Sequence, residues 1–154
     1  MRQIAAFDIL DPGLRAGLDA VARRSATLLR TPIALVTLVL DSAQLVLGSH
    51  GLGGWIAEAQ GTPAEWAMCT YTVLTGEPYQ VTDSDADPRH ADSPFMRTTG
   101  MRSYLGVPLI VAGQALGAHC AVDPHSRAFG DGDLAVLNDG AAATIRLLWE
   151  HRHR

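Results

Sequence analysis

The sequence of 154 residues contains no lysine, only two cysteines and few aromatic residues. Its 12 basic residues are therefore all arginines, and they are spread along the chain without a dense cluster while the net charge is −4. A nucleic-acid-binding surface needs concentrated basic side chains to neutralise phosphates. The composition thus predicts no nucleic-acid partner, and the absence of lysine beside abundant alanine and glycine is typical of GC-rich bacterial genomes.

The two cysteines, Cys69 and Cys120, are too few and too far apart in sequence for a disulfide framework or a CxxC metal site. We expect two buried thiols in a reducing compartment. The first residues show no secretory signal, which predicts a cytoplasmic location. The longest uncharged stretch, residues 103–122, is interrupted by glycines and a proline, so it predicts a β-hairpin rather than a membrane helix, and no membrane partner.

Apolar residues recur at helical spacing over residues 14–29, after an Asp11-Pro12 pair that is typical of a helix start. Two apolar runs, residues 33–40 and 44–49, predict a hairpin, and residues 50–62 predict a loop. A short helix over 63–74, a strand over 79–82 and a polar loop over 83–100 follow. Residues 102–111 and 115–122 predict a second hairpin, and 131–152 a last helix capped by Asp131 or Asp133.

This order of elements predicts an α+β architecture in which helices pack on an antiparallel sheet. The length and the 47% hydrophobic content fit one domain over residues 1–154, with its own core. A second domain has no room in a chain of this length.

Several sequence blocks then occur in a specific order. They are CTYTVLTGEPYQVTD at residues 69–83, DPRHADSP at 87–94, RSYLGVPL at 102–109, QALGAHCAVD at 114–123 and RAF at 127–129. In this order and spacing the chain resembles the GAF domain family over roughly residues 21–148. Each block alone is a weak signal, but the series is specific.

The resemblance implies a six-stranded antiparallel sheet with the N- and C-terminal helices on one face and a ligand pocket on the other. It also implies dimerisation through the terminal helices, residues 14–29 and 134–149. Members of this family bind varied small molecules and pass a signal to an output domain. We therefore expect a sensory or regulatory module that acts through a non-covalent protein partner or its own homodimer. The ligand, and hence any cofactor, stays unknown.

Three aspartates in the polar loop, Asp83, Asp85 and Asp87, have the spacing of a calcium loop. Pro88 and Pro94 stand where such a loop needs Gly and a bidentate Glu, so no metal site is predicted. Asp83 and Asp87 are instead expected to cap turns. A haem or zinc site has no support in the sequence either, because no HxxxH or HExxH spacing occurs.

Catalysis is the less favoured alternative. One enzymatic branch of the GAF family reduces free methionine sulfoxide with cysteines, and Cys69 on a helix could approach Cys120 on a strand. The cysteine placement of that branch differs from this chain, and no arginine or lysine neighbours either cysteine in sequence. We therefore expect no enzyme, and no catalytic residue is assigned.

The resemblance implies a candidate ligand site on the face opposite the terminal helices. Its residues would come from the short helix, the polar loop and the sheet: Trp66, Cys69, Thr70, Asp83, Phe95, Met96, Tyr104 and His119. His50 and His90 are expected to be exposed loop residues, and His119 could equally be a core histidine. A further alternative is a protein-interaction scaffold whose pocket is filled by its own side chains.

Overall fold

The computed structural model describes residues 7–40, 43–52, 61–63 and 68–152. Helix α1 (Pro12–Leu29) leads into strands β1 (Ile33–Val39), β2 (Ala43–His50) and β3 (Gly61–Pro63). Helix α2 (Cys69–Thr75), strand β4 (Tyr79–Val81), a 3₁₀ turn (Ser84–Ala86) and helix α3 (Pro94–Thr99) follow. Strands β5 (Ser103–Val111) and β6 (Gln114–Asp123) precede the last helix, α4 (Asp131–Glu150).

The strands form one open antiparallel sheet in the order β3-β2-β1-β6-β5-β4. Five of them make up the body of the sheet. The predicted number of six is reached only by counting β3, a three-residue edge strand that lies between two stretches outside the described residues. The expected α+β architecture with an antiparallel sheet is confirmed.

The two faces of the sheet carry separate apolar layers. The helix face packs against α1 and α4 through side chains that include Leu18, Val36, Leu105, Val107 and Leu137. The loop face packs against α2 and α3 through side chains that include Leu35, Met96, Tyr104, Cys120 and Val122. Because alternate residues of a strand point to opposite faces, the strands β1, β2, β5 and β6 contribute to both layers.

Helix α1 begins as the sequence predicts. The Asp11 carboxylate accepts a hydrogen bond from the Leu14 amide at 2.9 Å, and Pro12 occupies the first turn. Its close approach to the sheet depends on Gly48 of β2, where an added Cβ would lie 2.6 Å from the backbone of Leu18. The helix-to-sheet distance is thus set by a glycine.

The last helix ends near its predicted position, at Glu150. Its N-cap residue is Gly130, which corrects the expected cap at Asp131 or Asp133, since both lie inside the helix. The Gly130 amide donates to the Asp133 carboxylate at 3.0 Å, so Asp133 stabilises the first turn from within it. Among the residues that the structure describes, no helix is long and apolar enough to cross a membrane.

Two predicted segments differ from the structure. The short helix begins at Cys69 rather than at residue 63, since Pro63 belongs to β3. The polar loop over 83–100 contains the 3₁₀ turn and helix α3. Helix α3 starts with Ser93 as N-cap and Pro94 in the first turn, a combination that favours a helix start but precedes only six helical residues.

Candidate functional site

The candidate site is the loop face, where α2, α3 and the segment between β4 and α3 cover the sheet. Most of the apolar side chains here are buried, including Met68, Cys69, Phe95, Met96, Tyr104 and Cys120. The described part of this face is therefore occupied largely by the protein's own side chains.

A buried polar group lies at the centre of this layer. The Tyr104 hydroxyl on β5 donates to Cys69 Sγ at 3.3 Å and lies 3.1 Å from Thr72 Oγ1 on α2. The ring lies over Gly106, where an added Cβ would come into steric conflict with the hydroxyl. Burial raises the pKa of Tyr104 well above its usual value, so the hydroxyl stays protonated and available as a donor.

The two cysteines meet beside this tyrosine. Cys69 Sγ on α2 lies 3.7 Å from Cys120 Sγ on β6, and both thiols are free and buried. Their mutual hydrogen bond lowers the pKa of Cys69, with further hydrogen bonds from Thr37 and Tyr104, while the same contact and burial raise the pKa of Cys120. Cys69 is thus the thiol that ionises first.

Aspartates fix the backbone of the segment between β4 and α3. Asp83 Oδ1 accepts from the Asp85 amide at 3.0 Å, and Asp87 Oδ1 accepts from the Arg89 amide at 3.0 Å. The predicted turn-capping role of Asp83 and Asp87 is confirmed. Arg102 also binds Asp83 through two hydrogen bonds, at 2.6 and 3.3 Å, and this contact lowers the pKa of the carboxyl.

His90 is buried, which corrects the expectation of an exposed loop residue. Its Nε2 lies 2.5 Å from the hydroxyl of Tyr79 on β4, and its ring contacts Tyr71 and Tyr79 edge-on. Desolvation lowers the pKa of His90, so the ring is neutral at neutral pH. Tyr71 stacks on Tyr79, which joins α2 to β4 and to the loop.

A cavity of about 200 Å³ lies between this loop and α3. Buried His90 and Met96 line it, and so do the guanidinium-bearing side chains of Arg97 and Arg102. Both arginines already have acidic partners, because Arg97 contacts Asp92 at 2.8 Å and Arg102 contacts Asp83. The cavity therefore combines an apolar wall with groups that form charge-assisted hydrogen bonds.

The structure brings most of the predicted site residues to one face. Cys69, Phe95, Met96 and Tyr104 share the loop-face layer, Thr70 lies on α2 beside Cys69, and Asp83 joins them through Arg102. Trp66 lies outside the described residues. Whether these residues bind a ligand stays a prediction.

His119 does not join this group, and its expected place in the pocket floor is corrected. The side chain points to the helix face, because its neighbours Ala118 and Cys120 occupy the loop face. Its Nδ1 lies 2.9 Å from the Leu35 carbonyl oxygen and its Nε2 lies 2.7 Å from Ser25 Oγ on α1. A carbonyl can only accept, so Nδ1 carries the proton and Ser25 donates to Nε2.

Burial lowers the pKa of His119 to about 4. The ring is therefore neutral at neutral pH and serves as a hydrogen-bonded core histidine, the alternative that the sequence left open. Three residues of the loop face, Thr72, His90 and Arg102, were not among the predicted site residues. Only Thr72 had a signal, since it lies one helical turn after Cys69.

Comparisons with known proteins agree with this architecture. The family model described as GAF domain matches residues 14–146. A cyclic di-GMP phosphodiesterase of Pseudomonas aeruginosa is 29% identical over 132 residues, which cover 84% of this chain. The chain spans about a fifth, 22%, of the length of that relative.

Solved structures share the fold at low sequence identity. The GAF domain from an Acinetobacter phosphoenolpyruvate-protein phosphotransferase superposes with a TM-score of 0.72 at 14% identity, covering 89% of this chain and 82% of that one. A type II free methionine-R-sulfoxide reductase from Thermoplasma acidophilum has a TM-score of 0.71 at 16% identity, with 90% and 94% of the two chains covered. At such identities these likenesses concern the fold alone.

Proposed function

Because this chain belongs to the GAF domain family, a family of sensory and regulatory modules, we propose that it senses a small molecule at its loop face. The observation that carries the proposal is the cavity of about 200 Å³ between α3 and the preceding loop. Buried apolar and hydrogen-bonding groups converge there, as they do in small-molecule sites. The signal would pass to a non-covalent protein partner or through a homodimer.

Only some of the predicted ligand residues lie at this cavity. Met96 lines the cavity directly, and Asp83 holds Arg102 on its wall. Cys69 and Tyr104 lie deeper and bind each other. We therefore place the ligand contacts at the outer rim, between the loop and α3, rather than at the centre of the sheet.

Native mass spectrometry of the protein purified from its own host, followed by a thermal-shift screen, tests the proposal. The screen contains cyclic nucleotides, amino acids and amino-acid sulfoxides. A retained small molecule, or a saturable rise in Tm, is expected because a ligand that binds only the folded state stabilises it. Ala91→Phe would fill the cavity from its rim and should abolish the shift. Ala16→Phe, at an exposed position of α1, is the matched control.

The homodimer would form through the exposed side of the two terminal helices. A groove between α1 and α4 is lined by Val21, Arg24, Leu28, Val136, Asp139 and Ala143. Leu28 is 55% exposed, and Trp149 stays 41% exposed although Phe7 packs against its ring edge-on. Large apolar side chains of this kind favour a covered surface.

Light scattering at tens of micromolar tests the dimer. Leu28→Asp should yield a monomer, because a charge at an apolar interface is costly to bury. Leu74→Asp, at a leucine that is 77% exposed on α2, should leave the mass unchanged. A monomeric wild-type protein would contradict the proposed dimer, whereas the ligand proposal does not depend on this result.

A second candidate, an interaction scaffold, is favoured by the dense packing of the loop-face layer. A clean apo mass and no ligand-induced stabilisation would place this candidate first. We propose no enzymatic role. The reductase alternative requires the thiols, so turnover of free methionine sulfoxide that survives Cys69→Ser and Cys120→Ser would exclude that mechanism.

A further inference from the structure

The paired thiols of the loop face have no part in the ligand or dimer proposals. Cys69 is the first residue of α2, and Cys120 lies in the central strand β6. Their sulfurs are 3.7 Å apart, a hydrogen-bonding distance for two thiols, whereas a disulfide bond needs about 2.0 Å. Disulfide formation therefore requires the two sulfurs to approach each other, by side-chain rotation and a shift of α2.

The two cysteines differ in a way that fixes their roles. Cys69 accepts a hydrogen bond from the Tyr104 hydroxyl at 3.3 Å, and its pKa is lowered by hydrogen bonding. Cys120 lies on a strand hydrogen-bonded on both sides, and its pKa is raised. A thiolate is the nucleophile in oxidation chemistry, so Cys69 reacts first and Cys120 follows.

Helix α2 has the features of an element that opens locally. It has seven residues, and its N-cap residue Met68 makes no side-chain capping hydrogen bond. Short helices of this kind open locally at a lower free energy than a central strand. Opening therefore brings Cys69, and not Cys120, to an oxidant in solution.

We propose that Cys69 and Cys120 form a reversible intramolecular disulfide that records oxidation by a hydroperoxide. The Cys69 thiolate attacks the distal oxygen of the peroxide, the O–O bond breaks, and an alcohol or water leaves with the proton lost by Cys69. Cys120 then attacks the sulfur of the Cys69 sulfenic acid, the S–O bond breaks, and water leaves with the proton of the Cys120 thiol. Two thiols are oxidised, and one peroxide is reduced to an alcohol, or water, and one water.

The disulfide would link α2 to β6 and convert the sulfur that accepts the Tyr104 hydrogen bond into a disulfide sulfur, which is a weaker acceptor than a thiolate. Tyr104 lies beside Tyr79, with ring centroids 6.3 Å apart, and Tyr79 binds His90 in the wall of the loop cavity. The redox state is thereby connected to the loop through contacts between rings. This inference does not depend on the identity of any ligand.

The test treats the folded full chain with one equivalent of hydrogen peroxide and measures intact mass. We expect a loss of about 2 Da, a Cys69–Cys120 peptide in a non-reducing digest, and restoration by dithiothreitol. The disulfide closes a long loop, so Tm should rise by roughly 5–10 °C. Persistence of two free thiols, or disulfides formed only between chains, would overturn the proposal.

Single variants test the order of reaction. Cys120→Ala leaves Cys69 without a resolving partner, so it should gain oxygen at Cys69 and react with a sulfenic-acid probe. Cys69→Ala should stay unmodified while folded, because Cys120 is buried in the central strand β6, where desolvation favours the protonated thiol and an oxidant has no access. Oxygen added to Cys120 in the presence of intact Cys69 would overturn the assigned roles. The wild-type mass and digest keep the test decisive if a variant fails to fold.

Discussion

Replacement of Gly140 by alanine is expected to destabilise the protein although it adds a helix-favouring residue. An added Cβ at Gly140 of α4 would lie 2.5 Å from His119 Nε2, 2.7 Å from His119 Cδ2 and 3.0 Å from Ser25 Oγ. Ordinary contacts need about 3.5 Å or more. The imidazole cannot rotate away cheaply, since Ser25 and the Leu35 carbonyl hold both of its nitrogens.

The size of the effect follows from two opposing contributions. Alanine in place of glycine inside a helix stabilises it by about 1 kcal/mol. Overpacking a filled core costs about 1–3 kcal/mol, and the upper part of this range applies because the obstructing ring is fully buried. The net expectation for Gly140→Ala is a loss of about 1–2 kcal/mol in the free energy of unfolding, or a Tm lower by roughly 2–8 °C.

Gly132→Ala in the same helix is the matched control. Among the described residues, no atom beyond its own stretch of helix lies within 4 Å of a Cβ added there, so this variant should be neutral or gain up to about 1 kcal/mol. Urea unfolding followed by circular dichroism, at one protein concentration for all variants, measures both free energies.

A double variant identifies the obstructing group. His119→Ala alone should be destabilising because it leaves a cavity and removes the partner of Ser25. Combined with Gly140→Ala it should show a favourable coupling of about 1 kcal/mol or more, since the new methyl group then meets no ring. If Gly140→Ala stabilises the protein as Gly132→Ala does, the placement of His119 beneath α4 is wrong.

Three further predictions concern single groups. Because burial lowers the pKa of His119 from 6.5 to about 4, the free energy of unfolding should be constant above pH 6.5 and fall by up to about 3 kcal/mol as the pH drops to 4. The fall should be smaller in His119→Ala, and urea unfolding midpoints measured at a series of acidic pH values check this. Gly106→Ala should lower Tm more than Tyr104→Phe does, because the alanine methyl group displaces the whole Tyr104 ring whereas the phenylalanine loses only hydrogen bonds. Equal shifts in thermal melting would contradict this. Arg102→Gln should raise the pKa of Asp83 toward its usual value and speed hydrogen exchange at the Asp85 amide, which the Asp83 carboxylate binds. An unchanged exchange rate at Asp85 would contradict the role of Arg102 in holding Asp83 in place.

Local signals in the sequence determined the main elements of this protein. The 3.6-residue periodicity of residues 14–29, the Asp11-Pro12 start and the β-branched run at 33–40 act within a few residues, and the structure has α1 and β1 there. The ordered blocks between residues 69 and 129 identified the family, and with it the architecture. The short elements β3 and α3 were not predicted, because segments of three to six residues carry little periodicity.

The tertiary structure alone decided which side chains meet. His119 and Cys120 are neighbours in sequence, yet the pleat of β6 sends His119 to Ser25 on α1 and Cys120 to Cys69 on α2. A shift of one residue in the register would exchange them, and nothing in an apolar strand fixes that register locally. Pairing with β1 and β5 fixes it instead, and the same long-range packing buries His90 beneath two tyrosines. The sequence therefore supplied the residues of the loop face, whereas the strand register decided which of them share it.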